Sequence, residues 1–196
     1  MPVIFCVNHS NWWDVYLSIF LSMECFKINS YVLKNIKEEP LISYLFKIGA
    51  VPNDKNNDGL ETMNFLQSLL TGKPRFLWVF PQDKIADNNK AMKFTPVISD
   101  LVLNLKDVIL VNCLFEYRYL DKSSPEIFID FFESKNFAGI SYLNKESFTK
   151  NLEQKFELKV KEFREKFANN DLNDFKPLMY TEKKRAKEMN SINEIT

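Results

Sequence analysis

The sequence contains few side chains that could bind a metal ion or form disulfide bonds. Its 196 residues include a single histidine, His9, and three cysteines, Cys6, Cys25 and Cys113, which lie far apart and without CxxC spacing. Zinc would find too few ligands, so we expect no metal and no bound cofactor. An odd number of scattered cysteines in apolar surroundings predicts buried, reduced thiols and a reducing compartment such as the cytoplasm.

The sequence also lacks an excess of charge of either sign and a long hydrophobic run. Lysine plus arginine and aspartate plus glutamate number 26 each, so we expect no nucleic-acid partner. The longest apolar run, from Val15 to Met23, is shorter than the ~20 residues that span a bilayer. The initial PVIFCV lacks the basic region of a signal peptide. The absence of a GxSxG motif disfavours an α/β-hydrolase.

What the sequence does contain is the composition and the alternation of an α/β protein. Hydrophobic residues make up 45% and charged residues 27%, the balance of a folded globular chain. The strand candidates are Val3–Val7, Ser30–Leu33, Ala50–Pro52, Arg75–Phe80, Val108–Tyr117 and Glu126–Phe132. The helix candidates between them are Trp12–Phe26, Pro40–Ile48, Gly59–Leu70 and Thr95–Leu105. This alternation predicts a single α/β domain.

A long amphipathic helix is predicted towards the carboxyl terminus, from Lys145 to Ala168. Its apolar residues recur every three or four positions with charges between them, namely Phe148, Leu152, Phe156, Val160, Phe163 and Phe167. The chain then becomes polar and lysine-rich. We predict that residues 1–170 form the domain and residues 171–196 a partly ordered tail.

The segment VIFCVNHSNWWD, residues 3–14, carries the side chains best suited to catalysis. His9 follows a predicted strand and precedes a helix, which places it at the carboxyl edge of the sheet, where open α/β sheets bind ligands. Asp14 can fold back to hold one ring nitrogen of His9, and the other nitrogen is then free to act as a base. The alternative is that His9 is an ordinary loop residue and that Asp14 only favours the positive end of the helix.

Three segments together resemble the motif blocks of the glycerolipid acyltransferases, the PlsC-type family that includes the lysophosphatidate acyltransferases. NHSNWWD is similar to the first block, in which four residues separate a His from an Asp. LKNIKEEPLISYLFKIGAVPNDK is similar to the second block, and RFLWVFPQDKIADNNKAMKF is similar to the third. The family positions in the second block are occupied by Lys34, Pro40, Gly49, Asp54 and Lys55. VILVNCLFEY supplies the strand of the fourth block without its proline.

The resemblance implies an enzyme of phospholipid biosynthesis with a mixed sheet flanked by helices. It would move a fatty acyl group from an acyl-CoA or acyl-carrier-protein thioester to a hydroxyl of a lysophospholipid or another lipid-like acceptor. His9 would be the general base and Asp14 would orient it. The resemblance implies substrate-binding roles for Ser10, Trp12, Trp13, Lys55, Phe80, Pro81, Gln82 and Lys84.

Departures from the family's blocks bear on the acceptor. Lys55 and Gln82 stand where the family has an Arg and a Glu that are associated with the glycerol phosphate of the acceptor, and Asp83 replaces a Gly. Lysine keeps the positive charge but loses the bidentate fork of arginine. The sequence therefore does not predict a phosphorylated acceptor. A second hypothesis is a relative without turnover that binds lipid or serves as a scaffold.

Several residues near the motif allow two interpretations. Trp12 and Trp13 either line an acyl channel or belong to the core, and Lys84 and Lys93 either meet the phosphates of the donor or are solvated. We expect Ser10 to cap the helix rather than to act as a nucleophile. The backbone amides from Ser10 to Trp13 are expected to stabilise the oxyanion of the reaction.

Two features could bring such an enzyme to a lipid surface. One is the apolar group Trp12, Trp13, Tyr16 and Phe20 beside the motif, and the other is the basic stretch Lys183–Lys187. Glu182 and Glu188 flank the basic stretch, so we favour the apolar group. The protein is therefore expected to lie peripherally on the inner face of the membrane.

Overall fold

A computed structural model describes residues 1–34, 49–52, 60–71, 74–82, 84–85, 91–121 and 124–178. The chain divides into two compact units, Met1–Lys161 and Glu162–Thr196. The expected boundary between residues 170 and 171 stays a prediction. The basic stretch at residues 183–187 lies outside the described residues.

The first unit contains a mixed six-stranded sheet, so the prediction of an α/β fold is confirmed. Its strands are β1 (Val3–Val7), β2 (Ser30–Lys34), β3 (Ala50–Pro52), β4 (Phe76–Val79), β5 (Val108–Asp121) and β6 (Ser124–Phe137). Their order in the sheet is β3-β2-β4-β1-β5-β6, in which β6 alone runs antiparallel to its neighbour. The central strand β1 therefore has parallel neighbours, β4 and β5, on both sides.

Helices cover both faces of this sheet. They are α1 (Asp14–Phe20), α2 (Leu60–Leu70), α3 (Val97–Leu105) and α4 (Lys145–Ala168), and α1 continues as a π-helical turn, Leu21–Phe26. Apolar residues of α2, α3 and α4 share one core cluster with Ile4 and Cys6 of β1. Residues of α1 share the other cluster with Phe5 and Val7. Burial on both faces explains why β1 and β4 are continuous apolar runs rather than alternating ones.

A buried tryptophan fixes α1 against the sheet. Trp78 of β4 is fully buried, stacks on Phe5 with 4.1 Å between ring centroids, and donates its indole N–H to Ser22 Oγ at 2.8 Å. Ser18 and Ser22 are one helical turn apart and face inwards, where their small side chains leave room for the indole. This packing holds the end of α1 and the π-helical turn against β1 and β4.

The sequence predicted most element positions, with some different boundaries. The bounds of β1, β3 and α4 are confirmed as predicted. The strands β5 and β6 are each 14 residues long and extend beyond the predicted runs, because they pair with each other from Val108↔Phe137 to Asp121↔Ser124. α1 begins at Asp14 rather than Trp12, and α3 at Val97 with Pro96 before it. The helix expected at residues 40–48 lies outside the described residues.

The cysteines only partly match the prediction of buried thiols. Cys6 and Cys113 are buried and unpaired, and burial raises the pKa of both thiols. Cys25 is exposed, because it lies on the outer side of the π-helical turn, so the prediction was wrong for this residue. In the part of the chain that the structure describes, no helix is both long enough and apolar enough to cross a membrane.

The described part of the second unit is short and begins inside α4. Phe163 stacks on Phe167 with 6.3 Å between ring centroids, and it meets Phe175 edge-on at 5.8 Å. Lys166 donates a hydrogen bond to Asp174 at 2.8 Å, which raises the pKa of its ammonium group. These contacts turn the chain back along the last turns of the helix.

Candidate active site

Three neighbouring strands supply the polar side chains of one site. His9 lies two residues after β1, Gln82 lies three residues after β4, and Tyr117 lies in the outer part of β5. Because β1 lies between β4 and β5 and is parallel to both, the carboxyl ends of all three strands point to the same edge of the sheet. This edge is where open α/β sheets bind ligands.

Asp14 is the centre of the hydrogen bonds at this edge. Its side chain is fully buried, with 0% exposed, and accepts four hydrogen bonds. Oδ2 accepts from His9 Nδ1 at 2.9 Å, Ser10 N at 2.8 Å and Asn11 N at 2.9 Å, while Oδ1 accepts from the hydroxyl of Tyr117 at 2.7 Å. An ionised carboxylate only accepts hydrogen bonds, so it matches four donors. These bonds fix the conformation of the loop between β1 and α1.

The contact with Asp14 determines which ring nitrogen of His9 carries the hydrogen. Since the carboxylate is an acceptor, Nδ1 must be the protonated nitrogen of the neutral ring, and Nε2 keeps its lone pair. His9 is only 3% exposed, and its Nε2 has no hydrogen-bond partner among the residues that the structure describes. The ring is therefore oriented as a base for a proton that a ligand would bring.

Gln82 fixes the His9 backbone from the neighbouring strand. The Gln82 Oε1 atom accepts a hydrogen bond from the His9 backbone N–H at 2.5 Å. The amide NH₂ group of Gln82 therefore points away from this N–H. That group has no partner within the described parts of the chain and is a donor for a ligand. Phe80 and Pro81, just before it, are buried, and the Phe80 ring lies 5.2 Å from the His9 ring. They form an apolar wall beside the histidine.

Asn8 joins the loop to β5. Its side-chain amide donates to the carbonyl of Phe115 at 2.8 Å and accepts from the N–H of Phe115 at 2.7 Å. The two bonds continue the β1–β5 pairing one step beyond its last pair, Val7↔Cys113. Both partners are buried, so neither backbone group of Phe115 has water as a substitute.

Replacing Asn8 with alanine is expected to lower the free energy of unfolding by about 2–4 kcal/mol, because two buried backbone groups lose their partners. Urea denaturation of both proteins measures this difference. Asn64→Ala is the matched control, since Asn64 is exposed on α2 and should change stability by less than about 0.5 kcal/mol. An equal, small effect of both substitutions would contradict the structural role of Asn8.

The remaining predicted site residues have mixed outcomes. Trp12 and Trp13 are 51% and 50% exposed and stack on each other, so the interpretation as core residues is wrong. Lys84 and Lys93 are both exposed to solvent. Lys55, Pro40, Asp54 and Asp83 lie outside the described residues, and of Lys34 only the backbone is described, as the end of β2.

One expectation about the start of α1 is wrong, and a second is contradicted for most of the amides that it named. Ser10 does not cap the helix, since its hydroxyl donates to the carbonyl of Phe115 at 3.3 Å. The amides expected to stabilise an oxyanion are mostly engaged: those of Ser10 and Asn11 donate to Asp14, and that of Trp13 donates to Asn11 Oδ1 at 3.3 Å. The buried carboxylate needs these donors to offset its lost hydration, so they are not available to a ligand.

Tyr117 and Asn8 are site residues for which sequence reasoning gave no role. Burial raises the pKa of Tyr117 well above its usual range, and the charge of Asp14 and the hydrogen bond to it raise the pKa further. The sequence signal that could have identified Tyr117 was its place at the end of a predicted buried strand, because a buried tyrosine hydroxyl usually has a hydrogen-bond partner. Across the described ranges, no group of three or more His, Cys, Asp or Glu side chains could hold a metal ion.

A scan of the sequence against protein-family models finds no match, and neither does a search of curated proteins. The site can therefore be classified only by its own geometry. It is a buried histidine–aspartate pair at the carboxyl ends of parallel strands in an α/β protein, with one imidazole nitrogen available as a base.

Proposed function

We propose that this protein is an acyltransferase with a glycerolipid-acyltransferase-like fold. It would move a fatty acyl group from an acyl-CoA or acyl-carrier-protein thioester to a hydroxyl of a lysophospholipid or another lipid-like acceptor. The observation that carries the proposal is the 2.9 Å contact between His9 Nδ1 and Asp14 Oδ2, which leaves Nε2 available as a base. The three segments that resemble the acyltransferase blocks support the same reaction.

The reaction needs only one proton-transfer group. His9 Nε2 takes the proton of the acceptor hydroxyl while the hydroxyl oxygen attacks the thioester carbonyl. The charge of Asp14 stabilises the imidazolium that forms. The C–S bond then breaks, and the thiolate leaves and receives that proton. A thiol has a pKa of about 8.5, far below that of an alcohol, so it leaves without a strong acid. The products are an ester and a free thiol.

Gln82 favours an acyl acceptor that carries an oxygen atom able to accept a hydrogen bond from a neutral amide group. Its Oε1 is occupied by the His9 backbone, so only its NH₂ group can meet a ligand. A hydroxyl or carbonyl oxygen beside the reacting hydroxyl would accept that hydrogen bond. In this role Gln82 helps to position the acceptor between the Phe80 wall and His9 Nε2.

The test of this function is an acyl-transfer assay with unbiased acceptors. The protein is incubated with radiolabelled acyl-CoA or acyl carrier protein and a total lipid extract, and the labelled product is identified by mass spectrometry. We expect a labelled ester lipid whose formation depends on His9. Binding of lipid without any labelled product from either donor would instead favour the scaffold hypothesis.

An exposed aromatic group beside the site supports peripheral binding to the inner face of a membrane. Trp12, Trp13 and Tyr16 contact one another at 4.1–6.1 Å between ring centroids, just before and within the first turn of α1. Half-exposed tryptophans are favourable at the boundary between lipid headgroups and acyl chains. Because they follow His9 by three and four residues, their insertion would bring the site to the lipid surface.

Replacing both Trp12 and Trp13 with alanine is expected to weaken binding to liposomes by roughly tenfold or more, because two large apolar side chains no longer insert into the lipid. Flotation with neutral and anionic liposomes at low and high salt measures the binding, and high salt should reverse it only in part. Phe65→Ala is the matched control, since Phe65 is 51% exposed on α2, which packs on the opposite face of the sheet. Binding confined to anionic liposomes and lost in salt would contradict this proposal.

A further inference from the structure

A tyrosine hydroxyl holds the second oxygen of the Asp14 carboxylate. The hydroxyl of Tyr117 donates to Oδ1 at 2.7 Å, whereas the other three donors converge on Oδ2. No further donor reaches Oδ1 from the described residues. Without this hydroxyl, Oδ1 would be a buried charged acceptor with no partner, and only the three donors to Oδ2 would hold the carboxylate.

The register of β5 delivers this hydroxyl to the loop. The Asn8 amide pairs with Phe115, and Tyr117 follows two residues later on the same face of the strand. The position of Tyr117 relative to Asp14 is therefore set by the same hydrogen bonds that hold the loop of His9. One hydrogen-bonded network contains the histidine, its carboxylate and the tyrosine.

Tyr117 can act on the carboxylate only as a donor. Burial, followed by the charge of Asp14 and the hydrogen bond to it, raises the pKa of Tyr117, so the hydroxyl keeps its proton at neutral pH. Its O–H dipole withdraws part of the negative charge of Asp14. The hydroxyl therefore lowers the effective charge with which Asp14 meets the His9 ring.

We propose that Tyr117 is a positioning residue that sets the orientation of Asp14 and the charge that Asp14 presents to His9. This inference deepens the proposed acyl transfer and rests on it for its catalytic meaning. The structural basis of the proposal is the hydrogen-bond chain Tyr117–Asp14–His9.

Among the residues that the structure describes, Glu116 and Arg118 flank Tyr117 on β5 and pair with each other at 3.8 Å. The apolar cluster around Tyr117 also contains Tyr16 of α1 and Cys113 of β5. Burial raises the pKa of the Cys113 thiol, which therefore stays neutral. Asp130 of β6, whose charge also raises the pKa of Cys113, is paired with Lys159 at 3.0 Å. A shift in the titration of His9 after a change at Tyr117 would thus report on the chain itself.

The single histidine allows a direct test. In protein labelled with ¹⁵N-histidine, the only imidazole signals come from His9, and they report its protonation and tautomer at each pH. In Tyr117→Phe we expect the pH midpoint of this titration to rise by about 0.5 unit or more, because Asp14 regains its full charge. Tyr119→Phe is the matched control on the same strand: Tyr119 is 73% exposed, and the midpoint should not move.

Acyl-transfer kinetics supply a second readout. In Tyr117→Phe the acid limb of the profile of kcat against pH should move upwards in step with the imidazole signal. The plateau of kcat should fall by about tenfold while KM changes less than about twofold, since the proposed role of Tyr117 is exerted through Asp14 and not on the substrate. A rise in KM at unchanged kcat would overturn the positioning role.

The two proposals fail in different ways. A midpoint that is the same in wild type and in folded Tyr117→Phe overturns this inference, even if acyl transfer is observed. A shifted midpoint in a protein that transfers no acyl group to any acceptor supports the chain but overturns the proposed function. If Tyr117→Phe does not fold, incorporation of 3-fluorotyrosine at all seven tyrosines gives a stronger donor, which should lower the midpoint of His9. An unchanged midpoint there would also overturn the inference.

Discussion

Replacing His9 with alanine is expected to lower the rate of the proposed acyl transfer on the order of 100- to 10,000-fold, the usual effect of losing a general base. No other imidazole exists in the chain to take over the proton. The hydrogen bond from the His9 backbone to Gln82 does not involve the side chain and is retained. The measurement is kcat with labelled acyl-CoA and the identified acceptor.

His9→Asn separates the base from the packing. The asparagine NH₂ group can take the place of Nδ1 and donate to Asp14, so the carboxylate keeps its four donors, but nothing replaces Nε2. We expect this variant to be as inactive as His9→Ala and closer to wild type in melting temperature. Near-normal turnover in either variant would exclude His9 as the base.

Replacing Asp14 with asparagine is expected to lower kcat on the order of 100-fold or more, because the charge that stabilises the imidazolium is removed. The backbone amides of Ser10 and Asn11 are donors, so the asparagine oxygen must face them in the position of Oδ2. His9 Nδ1 shares that acceptor, and the tautomer is therefore retained. The amide NH₂ group then faces Tyr117, whose hydroxyl can turn to accept.

Asp14→Ala is the contrasting variant. It leaves two backbone amides and the Tyr117 hydroxyl without their acceptor, so stability should fall as well as activity. Urea denaturation and the ¹⁵N-histidine spectrum distinguish the two variants: Asp14→Asn should keep the Nδ1–H tautomer and most of its stability, and Asp14→Ala neither. Full activity in a folded Asp14→Asn variant would show that the carboxylate charge has no part in the reaction.

Local sequence patterns were sufficient to predict the helices and strands whose own residues show a clear hydrophobic pattern. The apolar run of β1 and the three-to-four spacing of α4 predicted the bounds of both elements. The contact between His9 and Asp14 was also predictable, because only four residues separate them across one strand-to-helix turn. In each case the interacting residues are close in sequence.

The tertiary structure decided which distant residues complete the site. The contacts to His9 from Gln82, to Asp14 from Tyr117 and to Asn8 from Phe115 span 73, 103 and 107 residues. They depend on the strand order, which places β4 and β5 on the two sides of β1. No pattern within a strand specifies its neighbour, so these partners could not be assigned from sequence.

The use of the backbone amides and the exposure of the tryptophans were decided in the same way. The amides of Ser10 and Asn11 looked available to an oxyanion, but a buried carboxylate needs donors, and these lie within reach. From the sequence, Trp12 and Trp13 could either line an acyl channel or belong to the core, but α1 begins at Asp14 and turns its inner face to Trp78, which leaves both of them outside the core. Sequence alone determined the α/β class and the histidine–aspartate pair, because both depend on local spacing. Only the folded chain decided what surrounds that pair, because burial and hydrogen-bond partners depend on which segments pack together.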